Sequence, residues 1–82
     1  MWHVYIIKSN NKKWYYVGST NRLSERLKEH NSGQVKSTKH YLPFTLVFTK
    51  DFMSENEARD YEHLIKDKRT EKERIIRVIE NK

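Results

Sequence analysis

The chain has no cysteine, so neither a disulfide framework nor a thiolate metal site can reinforce the fold. One proline and two glycines among 82 residues leave no linker, and there is no repeat or low-complexity tract. No apolar run approaches the roughly 20 residues needed to cross a bilayer. Met1-Trp2-His3 does not begin a signal peptide, so the expected setting is the cytoplasm, without a membrane partner. Acidic residues are in deficit, 11 Asp and Glu against 17 Lys and Arg, for a net charge of +6. On so small a surface that excess favours polyanions, nucleic acid first among them, although a soluble protein can also simply be basic. A chain of this length forms one domain with a small core, so residues 1–82 are read as a single unit.

Two aromatic motifs stand close together at the start. Val4-Tyr5-Ile6 and Tyr16-Val17-Gly18 flank the polar stretch Ser9-Asn10-Asn11-Lys12, which reads as a β-hairpin. A loop centred on Asn10-Asn11 sets Tyr5 directly across from Tyr16. Side chains alternate faces along a strand, so opposed tyrosines share a face. Such a pair equally suits a cross-strand aromatic contact that only stabilises a sheet.

The expected strands run over Trp2–Lys8 and Trp14–Ser19. Thr20 or Asn21 can cap a helix from about Arg22 to Asn31, with Gly33 as its stop signal. The polar, basic segment from Gln34 to Tyr41 reads as a loop or a short helical turn. Phe44-Thr45-Leu46-Val47-Phe48 forms a third strand, and Pro43 fits its beginning. Ser54 with Glu57 makes a capping box for a helix ending near Lys66, and Thr70 with Glu73 makes another for a last helix. The result is an α+β fold, a three-stranded antiparallel sheet whose apolar surface three or more helices cover.

In the first helix, Leu23 and Leu27 mark the buried stripe. Arg26 lies at its edge and His30 between the two leucines. Arg at such a margin is usually a surface residue with a buried stem, and a lone His there is usually a satisfied core residue. Together they bring a phosphate-binding fork and an imidazole that moves protons near neutral pH. In the second helix, Glu62 sits among Ala58, Tyr61 and Ile65 on the apolar stripe. A carboxylate there needs a partner. Lys66, one turn on, is the structural candidate. A hard divalent cation such as Mg²⁺ is the functional one.

These residues resemble the GIY-YIG nuclease superfamily, and look most like its stand-alone, single-domain bacterial members. Val4-Tyr5-Ile6 stands for GIY and Tyr16-Val17-Gly18 for YIG. Arg26 with His30-Asn31-Ser32-Gly33 is similar to the R-x-x-x-H-x-x-G stretch, and Glu57-Ala58, Glu62 and Lys66 match the late E-A and E-x-x-x-K signature. The resemblance implies a small α/β sandwich around a three-stranded antiparallel sheet, and a metal-dependent endonuclease that hydrolyses DNA phosphodiesters with one Mg²⁺ or Mn²⁺. Tyr5 and Tyr16 would orient the attacking water, Arg26 would stabilise the phosphorane, Glu62 would hold the metal, and His30 would assist proton transfer. Val4 replaces the motif's first glycine, which a strand accommodates. Ser19 stands where some members carry a lysine near the nucleophile, leaving Tyr5, Tyr16 and His30 as alternative bases.

Arg22, Lys28, Lys36, Lys39, His40 and Lys66 are the expected nucleic-acid contacts. The expected substrate is DNA, branched or damaged forms included, reached with low sequence specificity or through a targeting protein. Two rival readings carry no chemistry: a binding module that keeps the fold, and a structural or RNA-associated basic domain.

Overall fold

Val4 to Ile7 are four consecutive buried residues, so this strand must be covered on both faces. A computed structural model describes residues 1–81 and, Arg69 apart, their side chains. The order of elements is β1 (Trp2–Ser9), β2 (Tyr15–Thr20), α1 (Leu23–Asn31), β3 (Phe44–Phe52), α2 (Glu55–Asp67) and α3 (Arg69–Glu80). The strands form one antiparallel sheet in the order β2-β1-β3, which puts β1 at the centre and β2 at an edge. The α+β architecture expected from the sequence is therefore present.

Alternation along β1 sorts the core into two halves. Val4 and Ile6, with Val17, pack against Ala58 and Ile65 of α2, joined by Tyr61 and by Ile75 of α3. Tyr5 and Ile7, with Phe44, pack on the other face with Trp14, Tyr16, Leu23 and Leu27. Val4, which replaces the motif glycine, thus faces α2 and leaves the tyrosine face clear.

The hairpin register differs from the expected one. Tyr5 pairs with Gly18, and Tyr16 pairs with Ile7. The loop is Asn10–Lys13, closed by the Ser9 N–H on the Trp14 carbonyl at 2.9 Å. Buried Ser9 is the cause. Its hydroxyl accepts from the Asn11 and Lys12 N–H groups, each at 3.2 Å, and donates to the Tyr41 carbonyl at 2.6 Å. Asn10 N–H and the Asn11 side chain are held by the carbonyls of Pro43 and Leu42. The offset is two residues, so every side chain keeps its face. Tyr5 and Tyr16 become diagonal neighbours, their ring centroids 6.4 Å apart.

Helix ends also differ in detail. Arg22 is the α1 N-cap, with no side-chain cap bond, while Thr20 Oγ1 accepts from the Arg22 N–H at 3.0 Å. Gly33 stops α1 with a left-handed φ of 81°, as a glycine past a helix end does. Ser54 caps α2 by accepting from the Glu57 N–H. The Thr70–Glu73 box does not form, because α3 starts directly after Lys68, its N-cap, and Thr70 already lies inside the helix. β3 continues past Phe48 to Phe52, with Val47 extra in the ladder between the Ile7–Leu46 and Ile6–Phe48 pairs.

Candidate active site at the β2 edge

Tyr5 grows from the central strand, yet its ring lies over Gly18 of the edge strand. A Cβ built on Gly18 would come within 2.6 Å of the Tyr5 hydroxyl oxygen, 2.8 Å of its ring carbon and 3.1 Å of the Tyr16 ring. Gly18 has no positive φ, so space rather than backbone freedom calls for glycine here. The third residue of the second motif is a vacancy that the Tyr5 ring fills. Sequence reading gave roles to the two tyrosines and none to Gly18; its position two residues after Tyr16 was the available signal. Gly18→Ala should cost about 1–3 kcal/mol through overpacking, read from urea midpoints. It should also displace the Tyr5 hydroxyl. An alanine variant with parental stability would show that the ring moves freely.

The hydroxyl of Tyr5 meets His30 Nε2 at 2.9 Å. His30 is fully buried, the rings of Tyr5, Tyr16 and Phe44 surround it, and its Nδ1 lies 2.9 Å from Thr38 Oγ1. Burial, then the charge of Arg26, pushes the imidazole down to about 4. Burial and the neighbouring Tyr16 push the Tyr5 phenol up to about 12, although the nearby Arg26 guanidinium acts the other way. At neutral pH the pair is an uncharged phenol against an uncharged imidazole.

Arg26 is half-buried and is held from behind by Glu29 at 3.0 Å. Glu29 also takes Arg22 at 3.5 Å. Glu29, which sequence reading did not single out, pairs with both arginines, and of the two Arg26 acts on Tyr5. The hydrogen bond from Arg26, followed by the charge of Arg22, holds its carboxyl low against a smaller opposing effect of burial.

Ser19 follows Gly18 and therefore points to the other face of the sheet, where its Oγ donates to Glu62 Oε1 at 2.5 Å. Glu62 Oε2 takes Lys66 Nζ at 2.6 Å. Burial alone would raise the Glu62 carboxyl, but the hydrogen bonds from Lys66 and Ser19 outweigh it and keep the group low. Glu62 is thus an ionised carboxylate with its side chain 14 % exposed. It begins on the face opposite the tyrosines. Because β2 is an edge strand, Lys66 reaches around it and places Nζ 5.8 Å from the Tyr16 ring centroid. Tyrosines, arginine and histidine from one face and Glu62 with Lys66 from the other meet at this edge.

The remaining basic residues divide. Lys36, Lys39 and His40 are exposed in the connection after α1, and Arg22 is exposed at its start. Lys28 is exposed about 200° around α1 from Arg26, on the solvent side of the helix and away from the sheet. Among the described residues there is no cluster of three or more His, Cys, Asp and Glu suited to a metal. No helix among them is long and apolar enough to cross a membrane.

Comparison with known proteins agrees with this geometry. The chain is 35% identical over 79 residues to the UPF0213 protein YazA of Bacillus subtilis, covering 95% of this chain and 78% of the relative. It is 39% identical over 78 residues to a UPF0213 protein of Halobacterium salinarum, covering 93% of this chain and all of the relative. The solution structure of the UPF0213 protein BH0048 from Bacillus halodurans superimposes with a TM-score of 0.58 at 34% identity, covering 95% of this chain and 85% of that one. Residues 1–74 match the model of the GIY-YIG catalytic domain, and the chain belongs to that family.

Proposed function

We propose that the protein is a divalent-metal-dependent endonuclease acting on DNA, with its site at the β2 edge. The observation that carries this reading is the Tyr5–His30 contact of 2.9 Å beside Arg26. It places a buried phenol against a neutral proton acceptor under a fixed positive charge. Hydrolysis needs a water oriented for in-line attack, an acceptor for its proton and cations around the growing charge. Tyr5 and Tyr16 orient the water. Its proton passes to the Tyr5 oxygen as the phenol proton moves to His30 Nε2, so a phenolate never has to stand free. Arg26 faces the phosphate oxygens, a role suited to its planar fork.

Glu62 fits a single metal. It is ionised, it lies at the edge, and its charge is matched by one exchangeable lysine rather than by a closed ligand set. Mg²⁺ or Mn²⁺ held through one carboxylate keeps most of its waters, and when bound it supplies Lewis-acid stabilisation of the leaving oxygen. Incubating plasmid and branched DNA with the protein and Mg²⁺ or Mn²⁺ tests the reading. Metal-dependent nicking supports it, and DNA binding without cleavage under any divalent ion favours the binding-module alternative.

Arg22, Lys36, Lys39 and His40 extend the positive surface from Arg26 and track the phosphates on either side, with Lys66 at the far rim. Contacts to four or five phosphates give log K against log salt a slope of about −4. Fluorescence anisotropy from low to physiological salt measures it, and a nearly flat line would remove this surface. Lys28→Ala should leave the slope unchanged, whereas Lys36→Ala and Lys39→Ala should each reduce it by about 1. The proposed contacts are to phosphates, which carry no direct sequence information, so low sequence specificity or recruitment by a targeting protein accompanies this function. A cytoplasmic location follows from the same reading.

A further inference from the structure

Thr38 is a fully buried hydroxyl in an otherwise polar, basic connection. Its neighbours Lys36 and Lys39 are exposed. Its turn is closed by the Val35 carbonyl, which accepts the N–H groups of Thr38 at 3.1 Å and Lys39 at 3.0 Å. That closure directs the Thr38 side chain inward, beneath His30.

Burial of Tyr5 sets the direction of the hydrogen bonds. Tyr5 is 2 % exposed, so its hydroxyl proton needs an acceptor inside the protein. His30 Nε2 is the acceptor that meets that hydroxyl, at 2.9 Å. The phenol proton therefore goes to Nε2, and the hydrogen of the neutral imidazole must sit on Nδ1. Nδ1–H then donates to Thr38 Oγ1 at 2.9 Å, and the Thr38 hydroxyl turns its own hydrogen to the Val35 carbonyl at 3.4 Å. No buried side-chain nitrogen or oxygen among the described residues is left without a partner.

We infer that Thr38 is a positioning residue of this site: it holds His30 in the Nδ1–H tautomer, which keeps the Tyr5 hydrogen on Nε2 and leaves the oxygen's lone pairs free to accept a proton. The catalytic consequence rests on the nuclease reading; the tautomer does not. With Thr38 accepting, the attacking water gives its proton to Tyr5, Tyr5 gives its proton to Nε2, and the imidazolium keeps Nδ1–H on Thr38. The new bond from the water oxygen to phosphorus forms as the bond to the leaving oxygen breaks, and solvent protonates that oxygen. In the opposite tautomer Nε2–H would point at the Tyr5 oxygen. The phenol hydrogen would then point away from the imidazole, and Tyr5 could no longer pass its proton to Nε2.

The test uses the full chain as parent, Thr38→Ser and Thr38→Val, labelled with ¹⁵N-histidine. Long-range ¹H–¹⁵N spectra at neutral pH show which His30 nitrogen carries the hydrogen, and single-turnover cleavage and DNA affinity are measured alongside. The parent and the serine variant should show Nδ1–H. Thr38→Val, which removes the hydroxyl at nearly constant shape, should lose that tautomer and cleave at least about tenfold more slowly, a fraction of what general-base catalysis contributes, with DNA affinity unchanged. Nε2–H in the parent overturns the inference, as does a valine variant that keeps Nδ1–H and full cleavage. Should the valine variant fail to fold, the parent's spectrum decides alone, Nδ1–H in favour and Nε2–H against. A parent that never cleaves would defeat the nuclease reading, while its spectrum would still decide the tautomer.

Discussion

Glu62→Gln should bind DNA as the parent does and lose metal-dependent cleavage by about 10³-fold or more, roughly 4 kcal/mol of transition-state stabilisation. The amide keeps the shape of the carboxylate and can still meet Ser19, but it has no charge to hold a cation. On the apolar stripe the carboxylate is partly desolvated, so its neutralisation should leave the metal-free fold at least as stable. Lys66 and Ser19 compensate much of that cost. Lys66 is well exposed, so the ion pair contributes less than about 1 kcal/mol, and the urea midpoint should barely move. Arg26→Ala should abolish cleavage as thoroughly and weaken DNA binding as well. It removes a phosphate contact and leaves Glu29 with Arg22 alone. Should Glu62→Gln cut as fast as the parent, Glu62 is a structural partner of Lys66 and the metal reading is wrong.

Parity explains what the sequence revealed about this site. Tyr5 and Tyr16 could be placed on one face because a two-residue slip in a hairpin leaves every face unchanged. Arg26 and His30 could be placed together because they lie one helical turn apart. Glu62 stood out as a carboxylate on an apolar stripe. The hairpin register did not follow, because Ser9 closes the loop onto Tyr41, more than thirty residues away in sequence, and no local turn rule contains that contact. The role of Gly18 depends on where the Tyr5 ring falls across the neighbouring strand. Thr38 is hidden for the same kind of reason. In a run such as Val35-Lys36-Ser37-Thr38-Lys39, nothing local marks which hydroxyl points inward. Such contacts join segments distant in the chain, and only the closed sheet with α1 laid across it brings them together.

Acid should destabilise the protein through His30 well before the carboxylates are fully protonated. Burial and then Arg26 push this imidazole down to about 4 in the folded chain, against about 6.5 when unfolded. Between those values the unfolded chain binds a proton that the folded chain refuses, so stability rises with pH across the window. The contribution is complete above pH 6.5 and disappears as pH falls toward 4; a shift of this size corresponds to about 3 kcal/mol. Glu29 and Glu62, both held low in the fold, lose their contributions at lower pH and steepen the decline there. His30→Gln separates the two effects, since the amide can still bond to Tyr5 and Thr38 but cannot titrate. Its stability at neutral pH should be lower than the parent's, yet between pH 6.5 and 4.5 its urea midpoint should fall much less. Equal falls in the two proteins would mean that His30 takes up its proton without leaving the fold. The closed chain from Tyr5 to Thr38 would then be open to water, and His30 could not serve as the neutral acceptor on which the proposed proton path depends.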